Sequence, residues 1–288
     1  MEEGELSAFM IDLHTHSTFS DGSLTPEQLA AAAKEAGLSA IALTDHDTVD
    51  GTPRFVEACA REGITGIAGV EISADTPKGT MHLLGFFVDP EHAGLRDALV
   101  EVRGGRLVRN RRIVAALAAL DMEIAWEEVA AQAGGDVIGR PHIAQAMVQR
   151  GYVPSFDVAF REWLGKGKPA YVDRFRLSPR DGIARIREAG GVAVLAHPFT
   201  LDLRLQKLRA LVEQLVGWGL SGIEVFYPEH GDSRRQQYQG LAHEFGLVMT
   251  GGSDFHGAMN PAIQLGRGFG NVRVDDSVLV ELRKRLNR

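Results

Sequence analysis

Apolar residues in this chain gather in short runs separated by longer stretches with helical spacing. The runs occupy residues 11–13, 41–43, 67–70, 81–87, 192–196, 223–226 and 247–250. Such brief, nearly continuous apolarity suits strands of a parallel sheet buried on both faces. Between them lie helix signals. Thr25-Pro26-Glu27 opens a segment that Gly37 closes, Ser178-Pro179 opens one that ends at Gly190-Gly191, and Ser233 precedes one that stops near Gly246. Seven strands alternating with helices predict an α/β fold, a closed or nearly closed parallel barrel, with an open doubly wound sheet as the alternative. The alternation fails over residues 89–177. That stretch has helical periodicity at 95–120, 126–133 and 143–150 and no clear buried strand. It reads as an inserted small helical domain. The expected organisation is therefore a barrel in two parts, 1–100 and 177–288, with an insertion at 101–176.

Composition narrows the class. Of 288 residues, 44% are apolar and 24% charged, too apolar for disorder. No run approaches the ~20 apolar residues of a membrane span. Residues 1–8 are acidic and carry no charged-then-apolar leader, which argues against export. The single cysteine, Cys59, excludes an internal disulfide or a thiolate-rich zinc site and reads as a small buried hydrophobe. A cytoplasmic protein is the expectation. The net charge of −7 argues against duplex DNA. It is unevenly spread. Residues 101–176 hold 12 basic and 9 acidic residues, a net +3, which leaves −10 for the remainder. A basic lid over an acidic barrel would guide an anion inward.

The candidate chemistry sits where the strands end. The first runs into His14-Thr15-His16 with Asp21-Gly22 beyond, and the second into Thr44-Asp45-His46-Asp47. The third ends at Glu71, the fourth holds His82, the fifth ends at His197, and the seventh ends in Ser253-Asp254-Phe255-His256. Only the sixth, ending near Glu224, lacks an obvious ligand. In a parallel barrel the C-terminal strand ends converge on one mouth. Alternate residues of an extended segment point the same way, so His14 with His16, or Asp254 with His256, can grip one ion. Imidazole mixed with carboxylate suits Zn, Mn or Fe. This many donors exceed the needs of one open ion, so two or three ions bridged by a carboxylate is the economical reading. Such a cluster clamps a phosphoryl group and lowers the pKa of water toward ~7. His92, His230 and His243 lack this placement and read as surface or helix residues.

With those residues assembled, the chain resembles the PHP (polymerase and histidinol phosphatase) family of metal-dependent phosphoesterases. The matching pieces are Asp12-Leu13-His14-Thr15-His16-Ser17, Ser20-Asp21-Gly22, Thr44-Asp45-His46-Asp47, Gly69-Val70-Glu71, Leu195-Ala196-His197-Pro198 and Gly252-Ser253-Asp254-Phe255-His256. The resemblance implies a distorted seven-stranded (β/α) TIM-like barrel and three ions. It implies that His14, His16, Glu71 and Asp254 hold the first ion, and that Glu71 bridges to a second held with His82 and His197. Asp21, His46 and His256 would hold the third. Asp21 stands where several relatives have histidine, which favours Mn or Fe, with Zn as the alternative. The chain is similar to the branch with Ser-Asp-Gly after the first motif and a helical insertion carrying Gly139-Arg140-Pro141-His142. That branch removes the 3′-phosphate of nucleoside 3′,5′-bisphosphates, and some members trim RNA from its 5′ end. The implied partners are a small nucleotide and short single-stranded RNA. No obligatory protein partner is readable.

The specificity residues would then come from the insertion. Arg140 and His142 flank the stiff Pro141, and a guanidinium can grip a second phosphate bidentately. The alternative makes Arg140 a surface helix-cap residue and His142 a helix opener. Lys168, in Gly165-Lys166-Gly167-Lys168-Pro169, is a further phosphate contact or part of an ordinary solvated turn. Arg103, Arg106, Arg109, Arg111 and Arg112 fit a solvated helix face. Phe199 and Phe255 fit core packing. Among the catalytic candidates Glu71, Asp254, His197 and Asp45, the proton carrier is Asp45 or His197. Two other functions compete: phosphatase action on another metabolite such as histidinol phosphate, and a non-catalytic PHP module.

Overall fold

The computed structural model describes residues 10–133 and 138–286. Its strands are β1 (Ile11–Asp12), β2 (Ala40–Leu43), β3 (Thr65–Ala74), β4 (Met81–Phe86), β5 (Val192–Leu195), β6 (Gly222–Phe226) and β7 (Val248–Gly251). They form one sheet in sequence order. The Leu13 amide donates to Gly251 O at 3.3 Å across the seam between β1 and β7, so the barrel is nearly closed. Helices α1 (Pro26–Glu35), α2 (Thr52–Glu62) and α3 (Ala93–Ala118) follow β1, β2 and β4. The insertion adds α4 (Trp126–Ala130), α5 (Arg140–Gln149) and α6 (Phe156–Ala159). The chain returns through α7 (Pro179–Glu188), α8 (Leu205–Gly217), α9 (Asp232–Phe245) and α10 (Ser277–Arg283).

One strand departs from the expected parallel barrel. β4 pairs antiparallel with both β3 and β5, whereas the remaining pairs are parallel. Only residues 75–80 separate β3 from β4, too few for a parallel crossover, so the chain turns back as a hairpin. The reversal has a functional result. His82, at the start of β4, lies on the rim where the other strands end.

Alternation along the strands builds two cores. Ala40 and Ala42 of β2 face inward with Ile67, Leu84, Phe86 and Val194, whereas Ile41 and Leu43 pack outward under Leu29 of α1 and Phe55 of α2. The insertion has its own cluster, including Ile113, Leu117, Ile143, Met147 and Leu164. Helix α3 joins the two. Leu95, Leu99 and Val102 pack in the barrel, and Ile113 and Leu117 pack in the insertion. A boundary at residue 100 therefore falls inside a continuous helix rather than at a linker. Among the described residues, no helix is long and apolar enough to cross a membrane.

Candidate metal centre

Six histidines and three carboxylates converge at the rim. Glu71, buried inside β3, presents its two oxygens to different neighbours. Oε2 lies 3.4, 3.3 and 2.8 Å from nitrogens of His14, His16 and His46. Oε1 lies 2.6 and 2.9 Å from His82 Nδ1 and His197 Nε2. Asp254 Oδ1 is 3.3 Å from His14 Nε2 and 3.0 Å from His16 Nε2. Asp21 Oδ1 is 3.2 Å from His256 Nε2, and its Oδ2 is 3.8 Å from His46 Nε2. Backbone strain accompanies the site: Asp47, His197 and Asp254 all have positive φ.

The donor atoms aim at shared points rather than at one another. His14 Nε2, His16 Nε2, Asp21 Oδ1, His46 Nδ1, Glu71 Oε2, His82 Nδ1 and Asp254 Oδ1 are buried without a hydrogen-bond partner. Orphaned polar atoms are costly when buried, so this concentration calls for a ligand. Three groups each bring their ligand atoms within 4.8 Å of one another. They are His14, His16, Glu71 and Asp254; His46, Glu71 and His82; and His16, Asp21, His46 and His256. Nitrogen and oxygen donors without thiolate, fixed around a two-faced carboxylate, fit a cluster of divalent cations.

The far sides of the rings are fixed as well. His14 Nδ1 lies 3.0 Å from Glu224 Oε1, whose other oxygen accepts from the His197 amide at 2.7 Å. His256 Nδ1 is 2.8 Å from Asp254 O, and His197 Nδ1 is 3.2 Å from Thr200 Oγ1. With Nδ1 protonated in these bonds, each Nε2 lone pair turns toward the cluster. Tyr227 donates its hydroxyl to Asp254 Oδ2 at 2.7 Å. Glu224, left without a role by the sequence, thus aligns two ligands. Its signal was a carboxylate inside an otherwise apolar strand.

Burial pushes the histidine pKa values down, but charge partners overcome it at His14, His46, His197 and His256, while His16 and His82 stay low. Asp254, Glu224 and Glu71 hold His14 well above its ordinary value, and Asp21 and Asp254 raise His256 to about 10. The carboxylates that raise these rings favour their protonated forms, so cation uptake competes with protons there. Metal affinity is expected to fall as pH drops below about 10, through neutrality and into acid. Calorimetry in buffers of different ionisation enthalpy should detect proton release, and binding without release would contradict this charge arrangement.

The structure places several candidates away from the cluster or the cleft. Asp45 accepts from the Ser17 amide at 2.8 Å, from the Ser17 hydroxyl at 2.6 Å and from the Ser20 hydroxyl. Both its oxygens accept hydrogen bonds, which ties the loop behind His16 to the end of β2. His142 Nδ1 accepts from the Gly139 amide at 2.9 Å and caps α5, and the ring is not among those lining the basic cleft described next. Lys168 is exposed outside that cleft, whereas Lys166 lines it. His230 is neither a surface nor a helix residue: it is buried after β6, with Nδ1 2.9 Å from Val225 O. His92 caps α3, and His243 is exposed on α9.

Beside the cluster opens a basic cleft of about 580 Å³. Asp21, His46 and His82 form its floor, and Arg106, Arg109, Arg140, Arg174, Arg176, Lys78 and Lys166 supply seven basic side chains. Arg106 and Arg109, expected on a solvated face, are only 7% and 3% exposed. They continue the inward stripe of Val102 and Ile113, a spacing that an apolar-only pattern passes over. Arg106 donates to Asp47 at 2.6 Å. Among the described residues Arg109 Nε has no partner, and burial with repulsion from Arg106, Arg140, Arg174 and Arg176 pulls its pKa down to about 7. Arg140 donates to Leu164 O at 3.0 Å and lies against Phe160 and Tyr171.

Comparison with known proteins agrees with this architecture. The PHP domain model matches residues 12–117. The 3′,5′-nucleoside bisphosphate phosphatase of Chromobacterium violaceum is 35% identical over 252 residues, 85% of this chain and 87% of its own. The chain belongs to the PHP family. The 5′-3′ exoribonuclease Rnm of Salmonella typhimurium is 35% identical over 90% of this chain and 89% of its own. A solved structure from Bifidobacterium adolescentis, described as a metal-dependent phosphoesterase, superposes with a TM-score of 0.86 at 32% identity, covering 96% of both chains.

Proposed function

We propose that this PHP phosphoesterase removes the 3′-phosphate from nucleoside 3′,5′-bisphosphates, with adenosine 3′,5′-bisphosphate giving AMP, and that it also trims short 5′-phosphorylated RNA. The observation that carries the reading is the cation-lined cleft opening onto the cluster, because it offers separate places for two phosphates on one substrate. His14, His16, Glu71 and Asp254 would hold one ion, Glu71 with His82 and His197 a second, and Asp21, His46 and His256 a third, with Mn or Fe favoured. Divalent ions there would neutralise the phosphoryl oxygens and lower the pKa of an attacking water.

The residues of the chain divide the remaining work. Glu224, Tyr227 and Thr200 keep the ligands in register. The insertion, taken as residues 101–176, acts as a lid that supplies specificity. Arg140 is held over Phe160 and Tyr171 with little conformational freedom left to lose, and it grips the 5′-phosphate alongside Arg106, Arg109 and Lys166. Arg140→Ala should raise KM for adenosine 3′,5′-bisphosphate about 10–100-fold, in line with ~1.5–3 kcal/mol for a hydrogen bond to a charged group. Adenosine 3′-phosphate, which lacks the 5′ group, should be little affected.

Phosphate release from adenosine 3′,5′-bisphosphate, measured against histidinol phosphate with added Mn, tests the whole reading. Preference for the bisphosphate is expected. Preference for histidinol phosphate overturns the substrate assignment, and release from neither by metal-loaded protein points to a non-catalytic module. A 5′-phosphorylated RNA oligomer in the same assay tests the trimming activity.

A further inference from the structure

Two clefts meet at the metal centre. The smaller, about 220 Å³, lies across Asp21 and Pro141, the two residues that line both. Asp254 and His256 form its inner wall, and Phe156, Tyr227, Met259 and Ile263 give it an apolar outer wall. Among the described residues no lysine or arginine lines it, against seven in the basic cleft. Outside the candidate ligands its charged group is Glu229, which offers acceptor oxygens to hydroxyl or amino donors.

We infer that the smaller cleft is a binding site for a second nucleoside, the one esterified to the far side of the scissile phosphate. The inference rests on the proposed reading and gives its RNA substrates a place for the leaving nucleoside. A phosphate monoester carries one organic substituent and needs one cleft. A diester carries two, leaving phosphorus in different directions, and the candidate ligands stand between two cavities. His46 and His82 border the basic cleft, Asp254 and His256 border the other, and Asp21 borders both. The contrast in lining matches the contrast in substrate. Phosphates belong where the arginines are, and an uncharged base with a flat apolar face belongs among Phe156, Tyr227, Met259 and Ile263. Stacking of this kind contributes ~1–3 kcal/mol per base.

The chemistry stays the same for both substrates. Water oxygen bonds to phosphorus, the P–O3′ bond of the first nucleotide breaks, and O3′ takes up a proton. In the bisphosphate the released group is inorganic phosphate. In the dinucleotide it is the second nucleoside bearing a 5′-phosphate. That product carries the group read by the basic cleft, so successive cuts run from the 5′ end.

The test compares adenosine 3′,5′-bisphosphate with 5′-phosphorylated diadenylate, using Mn-loaded full-length protein. Met259→Trp fills the small cleft from a partly exposed turn, and Phe156→Ala removes a wall; thermal melts verify that each folds. Either variant should lower kcat/KM on the dinucleotide by about 10-fold or more while bisphosphate turnover stays within about 2-fold. Equal losses on both substrates, no loss on either, or a wild type that cleaves the bisphosphate but not the dinucleotide would each overturn the second site. A wild type inactive on both overturns the bisphosphate reading beneath it.

Discussion

Glu71→Gln is expected to lower kcat/KM by more than ~10²-fold while the protein remains folded. Outer partners of metal ligands typically cost 10–100-fold when removed, so a carboxylate whose two oxygens face separate histidine sets should cost more. The substitution keeps the shape but replaces one oxygen with an amide that cannot ligate. Whichever way the side chain turns, it fails His14, His16 and His46 on one side or His82 and His197 on the other. Elemental analysis should report at least one ion fewer per chain. Full turnover with an unchanged metal count would show that Glu71 does not bridge.

Asp47→Ala should cost stability rather than chemistry alone. Asp47 is fully buried and accepts from Arg106 Nε at 2.6 Å, Arg174 at 3.5 Å and the Ser73 amide at 2.7 Å. Removing one partner of a buried ion pair strands the other, at about 3–5 kcal/mol. The melting temperature should fall by roughly 6–20 °C. Burial would raise the Asp47 pKa, but Arg106 and Arg174 override it and hold the group below the ordinary range. A depressed folded value means the contribution is complete above the unfolded value near ~3.9 and fades as pH drops through the lower folded one. The gap between wild type and variant should therefore stay constant from pH 8 to about 5 and shrink only in stronger acid. A gap that closes near pH 6 would mean that the arginines have another partner.

The sequence carried much of the site because strand ends are readable. Most ligand-bearing runs are a few apolar residues followed by His or Asp, and barrel topology does the rest; His82, at the start of β4, reaches the same rim because that strand is reversed. The direction of β4 was harder to see. Periodicity is blind to orientation, although the six residues at 75–80 already required a hairpin. Glu71 was placed at a strand end but lies within β3, which runs on to Ala74. The arginine wall was misread because a buried cation at helical spacing looks like a solvated one until its partner is known. For Arg106 that partner is Asp47, at a separation of 59 residues. His142 illustrates the opposite limit. A histidine three residues past a cap position can satisfy the helix terminus, and local hydrogen bonding took it ahead of any ligand.

Because α3 threads both cores, the specificity wall cannot be exchanged as a cassette. A graft that cut the chain near residue 100 would sever one rod in its middle and separate Val102 and Arg106 from the stripe below them. Chimeras between relatives should tolerate junctions before Ala93 and after Leu177, where whole packing units change hands.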